Sequence, residues 1–189
     1  MNPLYLFSEN RHMRAHYTDT QAINRLQDRL KHYMQSAGSR KIILLCIGTD
    51  RSTGDSLGPL TGTKLGQKGI PGLIIRGTLE NPVHAENLAS TLNEIRRTHK
   101  DPYLIALDAC LGRLDSVGDI TLTEGPLKPG TAVKKELPEV GDIHLTGIVN
   151  INGFMQYMVL QNTRLNIVWQ MADTICNLFC RIYLNTVRQ

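Results

Sequence analysis

The 189-residue sequence is poor in aromatic residues, with three phenylalanines, six tyrosines and one tryptophan making up 5% of the chain. It also has no run of five or more lysines and arginines, and its formal charge is only +4. A surface that stacks bases on interleaved rings, or grips phosphates along a basic stripe, is therefore not indicated, and nucleic acid is not an expected partner. No stretch approaches the roughly 18 consecutive apolar residues of a membrane span. The opening residues, Met1-Asn-Pro-Leu-Tyr-Leu-Phe7, carry no basic leader and no apolar core of signal-peptide length. A soluble, cytoplasmic protein with no membrane partner is expected. Cysteine is sparse too: Cys46, Cys110, Cys176 and Cys180. The last pair is four residues apart, not the spacing of a Cys-x-x-Cys redox or zinc motif. All four read as small buried hydrophobes in a reducing compartment.

What is present is ordinary globular composition, 41% apolar and 20% charged, on a chain long enough for one core. Residues 1–17 are polar and irregular and read as an N-terminal arm, leaving residues 18–189 as a single domain. Thr18 or Asp19 can cap a helix through about Gln35, with Ala22, Ile23, Leu26, Leu30, Tyr33 and Met34 on its apolar face. A strand follows over Lys41–Gly48, and Gly58-Pro59 opens a helix to about Leu65. Leu73–Arg76 reads as a short strand, His84–Thr98 as an amphipathic helix, and Tyr103–Ala109 as a buried strand. Gly118–Glu124 alternates like a half-buried strand, Gly125–Gly130 is a loop, and Ala132–Leu137 reads as a further strand. Phe154–Leu160 fits strand or helix equally. From about Thr163 a long helix places Leu165, Val168, Ala172, Ile175, Phe179 and Ile182 on one face. The alternation predicts an α/β three-layer sandwich around a mainly parallel sheet.

Two apolar strands deliver an aspartate near their carboxyl ends. The first runs into the polar loop Thr49–Pro59 containing Asp55, and the second ends in Asp108. Open α/β sheets build their sites in the crevice above the strand ends, which makes Asp55 and Asp108 the leading catalytic candidates. Two carboxylates held close cannot both ionise cheaply, so one pKa rises and the pair can act as acid and base. Alternatively Asp55, Asp108 and His144 hold a divalent ion such as zinc or nickel. Each has a plainer reading: Asp55 as a helix cap, Asp108 as a turn residue, His144 as a satisfied loop histidine. Asp50, Arg51, Asn81 and Asn150 are lesser candidates for binding substrate, with Glu80 and Asn152 beside them. His12 and His16 could share an ion only if the arm were helical.

Gly54-Asp-Ser-Leu57 also fits the serine block of a GDSL-type esterase, with Ser56 as nucleophile. Six residues separate it from the strand, however, and Asp142-Ile-His144 is one residue short of the Asp-x-x-His block. The glycine-rich loop lacks the Gly-Lys-Ser/Thr of a phosphate-binding loop and carries two acids that would repel phosphate.

Gly54-Asp-Ser-Leu-Gly-Pro59, then Ala106-Leu-Asp-Ala-Cys-Leu-Gly-Arg113 and Asp119–Leu137, resemble in order the segments around the two essential aspartates of the spore germination protease family. The smaller YyaC-type sporulation proteins are the nearer resemblance, covering roughly residues 40 to 185. More distantly the chain is similar to hydrogenase maturation endopeptidases, whose metal-sensing acid, strand-end aspartate and histidine correspond to Asp55, Asp108 and His144-Leu-Thr-Gly147. The resemblance implies a peptidase-like scaffold acting on a protein or peptide substrate, in the cytoplasm of a spore-forming bacterial cell. It implies either no cofactor or a divalent metal.

Overall fold

The computed structural model describes residues 11–129 and 137–187. Six strands form one sheet: β1 (His12–His16), β2 (Ile42–Cys46), β3 (Leu73–Arg76), β4 (Tyr103–Gly112), β5 (Asp119–Glu124) and β6 (Ile143–Ile151). Their spatial order is β1-β5-β6-β4-β2-β3. The run β6-β4-β2-β3 is parallel, and β5 is reversed against both β6 and β1. The helices are α1 (Thr20–Ser36), α2 (Leu57–Lys68), α3 (Leu88–Thr98), α4 (Gln156–Gln161) and α5 (Leu165–Val187).

Alternation along the strands divides the core in two. Leu44, Cys46, Ile105, Leu107, Leu122, Leu145 and Val149 pack with Leu26 and Leu30 of α1, Leu65 of α2 and Met171, Ile175 and Phe179 of α5. The opposite face sets Ile43, Leu45, Leu104 and Ala106 against Leu88, Leu92 and Ile95 of α3. Removing a fully buried leucine such as Leu26 or Leu44 would cost about 2–5 kcal/mol, since the packed layers collapse only partly. Helix α1 begins where Asp19 accepts the amide of Ala22 at 3.0 Å, and α2 ends at Gly69 in the left-handed conformation. Lys64 joins α2 to α5, pairing with Asp173 at 2.8 Å and lying over the Trp169 ring. At the amino edge of the sheet, Arg40 donates to the carbonyls of Asp101 (3.2 Å) and Pro102 (2.8 Å) and to Asp142 (2.9 Å). Asp142 in turn accepts the Leu104 amide at 2.7 Å.

The three-layer sandwich and its parallel centre follow the sequence reading. Several boundaries do not. Where the end of an irregular arm was expected, His12–His16 form edge strand β1, because Ala15 alternates inward while His12 and Arg14 face out. The rest of the expected arm, residues 1–10, lies outside the described residues, as does most of the strand expected over Ala132–Leu137. Strand β6, near the centre of the sheet, was not foreseen. Gly147 and Asn150 interrupt its hydrophobic pattern, although Ile143, Leu145 and Val149 are buried in strict alternation. The ambiguous segment ends as the short helix α4, and Leu165 is 56% exposed instead of joining the apolar face of α5.

Candidate active site

Strand β2 leads through α2 to β3 on one side, whereas β4 leads away to β5 and β6 on the other. The carboxyl ends of β2 and β4 therefore frame a topological switch point, where connections diverge and a crevice opens. Cys46 is the last residue of β2 in register with β4, opposite Leu107. Asp108 is the next residue along, with β4 and β6 continuing past it.

The loop after β2 folds back tightly. Gly48 has φ +141°, and a side chain there would overlap the carbonyl of Asp55. That same carbonyl accepts the amide of Thr49 at 3.2 Å. Asp55 rides on the single 3-10 turn Gly54–Ser56 that feeds α2. A Cβ on Gly58 would overlap the carbonyl oxygen of Ile47, so glycine there lets the start of α2 press directly on the end of β2. Ser56, not Asp55, occupies the cap position of α2, without a side-chain cap bond. Capping is thus not what Asp55 does.

The carboxyl of Asp108 is pushed up to about 8, first by burial and then by the charge of Asp55, opposed by a hydrogen bond from the Ala109 amide at 2.8 Å. Burial also raises Asp55, and the Ser52 hydroxyl opposes that shift. Ser52 Oγ is buried yet makes no well-formed hydrogen bond, so it lies close enough to favour the Asp55 carboxylate while keeping capacity for another partner. Both shifts favour the protonated carboxyl, and the nearby charge of Asp55 adds to the shift of Asp108.

His144 lies on β6, not in a loop, in register with Ala106; Thr146 is the residue beside Asp108. That offset is two residues, about 7 Å along a strand. The Nδ1 of His144 bonds the carbonyl of Gly125 at 2.9 Å. Among the described residues no three His, Cys, Asp or Glu side chains are grouped so as to hold a metal ion. Asp55, Asp108 and His144 are thus not gathered as a ready-made metal site, and His144 lies two residues behind Asp108 in register.

The remaining candidates sort by their local bonds. Asp50 and Arg51 are exposed at the tip of the loop. Asn81 is exposed beyond the end of β3, where its amide bonds Thr78 Oγ1 at 3.1 Å. Asn150 is consumed structurally: its Nδ2 donates to Val159 O and Thr163 Oγ1, both at 3.2 Å, and its Oδ1 accepts the Ile151 amide. It is not free to bind substrate. His12 and His16 sit four residues apart on a strand, about 13 Å, too far to share an ion. The hydroxyl of Ser56 donates to Thr53 O at 2.7 Å, and Asp142 is occupied at the opposite edge of the sheet, so no esterase triad forms around it. Cys110 has its thiol pKa raised by burial, which disfavours a nucleophilic thiolate.

Two site residues were missed by reading the sequence. Thr146 becomes visible only once β6 is recognised and paired with β4. Ser52 carried no signal beyond its place in a polar loop. An exposed apolar surface was missed as well. Phe154, Met155, Tyr157 and Met158 are 101%, 69%, 60% and 48% exposed, on and before α4, which packs against the Gly54–Ser56 turn. Met155 takes a left-handed φ of +57°.

The mixed sheet wrapped by helices is a fold that this chain shares with hydrogenase maturation proteases. The [NiFe] hydrogenase maturation protease HycI of Thermococcus kodakarensis KOD1 superposes with a TM-score of 0.52 over 80% of this chain and 98% of its own, at 15% identity. The crystal structure of the Hydrogenase 3 Maturation protease superposes less closely, with a TM-score of 0.41 and 18% identity over 74% of this chain and 88% of its own. The chain itself belongs to the family described as protein of unknown function (DUF1256), whose profile matches residues 14–178. It is 51% identical over 172 residues to the uncharacterized protein YyaC of Bacillus subtilis (strain 168), covering 90% of this chain and 84% of that protein.

Proposed function

We propose that this protein is a peptidase that hydrolyses a protein substrate with Asp55 and Asp108 as its acid–base pair. The observation that carries the reading is the raised carboxyl of Asp108, about 8, beside Asp55 at the switch point of the sheet. In the proposed reaction, ionised Asp55 takes a proton from water as its oxygen attacks the scissile carbonyl carbon, and Asp108 gives its proton to the carbonyl oxygen. The tetrahedral intermediate then collapses. The proton on Asp55 passes to the leaving nitrogen, the carbon–nitrogen bond breaks, and Asp108 recovers a proton from the hydroxyl as the new carboxylic acid forms. Ser52, whose hydroxyl favours the ionised form of Asp55, is assigned the role of supporting that carboxylate as the base.

A protein substrate is supported by the exposed Phe154, Met155, Tyr157 and Met158 beside the Asp55 turn, since contiguous exposed apolar surface marks interaction sites. The same surface favours a second reading, a non-catalytic member of the fold that binds a polypeptide without cutting it. The kinship to germination proteases and the sporulation setting belong to the proposal too, resting on the motif blocks around Asp55 and Asp108. The test is to incubate the protein with a denatured bacterial proteome and map new termini by mass spectrometry. Termini made by the wild type and lost, by about 10²-fold or more, in Asp55→Asn and Asp108→Asn support the peptidase. Equal termini from the double variant, or none from the wild type, would overturn it.

A further inference from the structure

A cavity of about 570 Å³ opens at the far end of the same sheet edge, bounded by the end of β3, the turn after it and the outer side of α3. Its volume lies within the range of about 300–1,000 Å³ typical of ligand sites. Most of the lining is polar, His84 included; Ile75, Pro82 and Val83 give it an apolar strip, and Arg76, Glu80 and Glu94 supply charge. Arg76 is engaged within the lining, with Nη2 lying 3.8 Å from Glu94 and Nη1 donating to Ile75 O at 3.4 Å. Glu80, exposed, has no ion pair among the described residues, so beside the Arg76–Glu94 pair the lining keeps one uncompensated carboxylate, with His84 as its other titratable side chain. An apolar strip ending in an exposed carboxylate, within a polar lining, suits an aliphatic stem with a cationic head. A bare divalent ion is a poor fit, because no three ligating side chains are grouped there.

The cavity is coupled to the carboxylate pair through the backbone. Val83 bridges Ile47 in parallel and accepts the Gly48 amide at 2.8 Å, and the Ile47 amide donates to Leu107 O at 2.7 Å, the residue before Asp108. Val83 to Leu107 thus spans two strand spacings, about 10 Å, or roughly three residues of extended peptide.

We propose that this cavity is a specificity pocket for a lysine or arginine side chain of the polypeptide substrate, lying about three residues from the bond that is cut. Its place in a substrate rests on the peptidase reading, but its preference for a cation does not, and the experiment separates the two. Amide shifts of the labelled protein are followed by NMR during titration with N-acetyl-arginine methylamide, N-acetyl-lysine methylamide and the uncharged N-acetyl-norleucine methylamide. Either cationic probe, or both, should move Thr78, Glu80, Val83 and Thr91, with the norleucine probe at least five-fold weaker. Glu80→Gln should weaken the cationic probes at least five-fold while its remaining spectrum and Tm stay those of the folded protein. Equal binding of norleucine, unchanged affinity in Glu80→Gln, or shifts confined to other surfaces would overturn the pocket. Asp108→Asn should keep probe binding intact, so a protein that binds the probes yet makes no cuts would sink the peptidase reading and leave the pocket standing.

Discussion

The imidazole of His144 is tethered to the carbonyl of Gly125, with Nδ1 2.9 Å from the oxygen. A carbonyl only accepts, so Nδ1 carries a proton and Nε2 is the nitrogen left to face a ligand. Metal-binding histidines are held in this way, but here the companion ligands do not gather.

Zinc and nickel titrations of the wild type and of His144→Ala are therefore expected to coincide, and hydrolysis to persist in excess chelator. A calorimetric isotherm present in the wild type and lost in the variant would instead place a metal at Nε2.

Asp108 makes stability fall as pH rises. Its folded pKa, about 8, lies above the roughly 3.9 of an unfolded aspartate. Between those values the folded state binds more protons than the unfolded one, so the contribution is complete below about pH 4 and is lost as pH rises through 8. Asp108→Asn, a neutral isostere, should raise the Tm at pH 8 and change it much less at pH 5. A pH-independent difference would deny the raised carboxyl.

The same proton sets the activity profile. In the proposed reaction Asp108 must be protonated and Asp55 ionised, so kcat should fall on the alkaline side as pH passes about 8. In Asp108→Asn any residual rate should lose that alkaline limb.

Ser56→Ala should leave cleavage within about two-fold and cost about 1 kcal/mol of stability, the worth of its bond to Thr53 O. Activity abolished by this change alone, with the fold intact, would restore the serine esterase.

Gly58→Ala should destabilise by about 1–3 kcal/mol, because the added methyl meets the Ile47 carbonyl and overpacking forces backbone shifts. It should also lower activity, since the displaced start of α2 carries Asp55 with it. Both are read by thermal denaturation and by the termini assay.

The layers, the order of helices and the carboxylate pair were legible because they rest on local signals. Asp108 follows a run of buried strand residues, and Asp55 follows a strand and a glycine-bearing loop. Strand β6 was harder: its inward positions include Gly147, which is tolerated because Leu57 and Met171 fill the space a side chain would take. The placing of His144 on a strand was hidden for the same reason. Its distance from Asp108 is decided by register between β6 and β4, a non-local property that spacing along the chain does not encode. The cavity at β3 was invisible for a similar reason, as Arg76, Glu80 and Glu94 are brought together only by the packing of α3 at the sheet's edge.

Arg40 gathers two carbonyls and the carboxylate of Asp142 at the end of the sheet remote from Asp108. The turns before β4 and β6 are thereby knotted to the start of β2 by charge-assisted bonds on a single guanidinium. Anchorage and the carboxylate pair thus occupy opposite ends of the same strands. Loops at the carboxyl end can lengthen, shorten or exchange residues without disturbing this fastening, so a change of substrate would ask for new loops at one end of the sheet and nothing at the other.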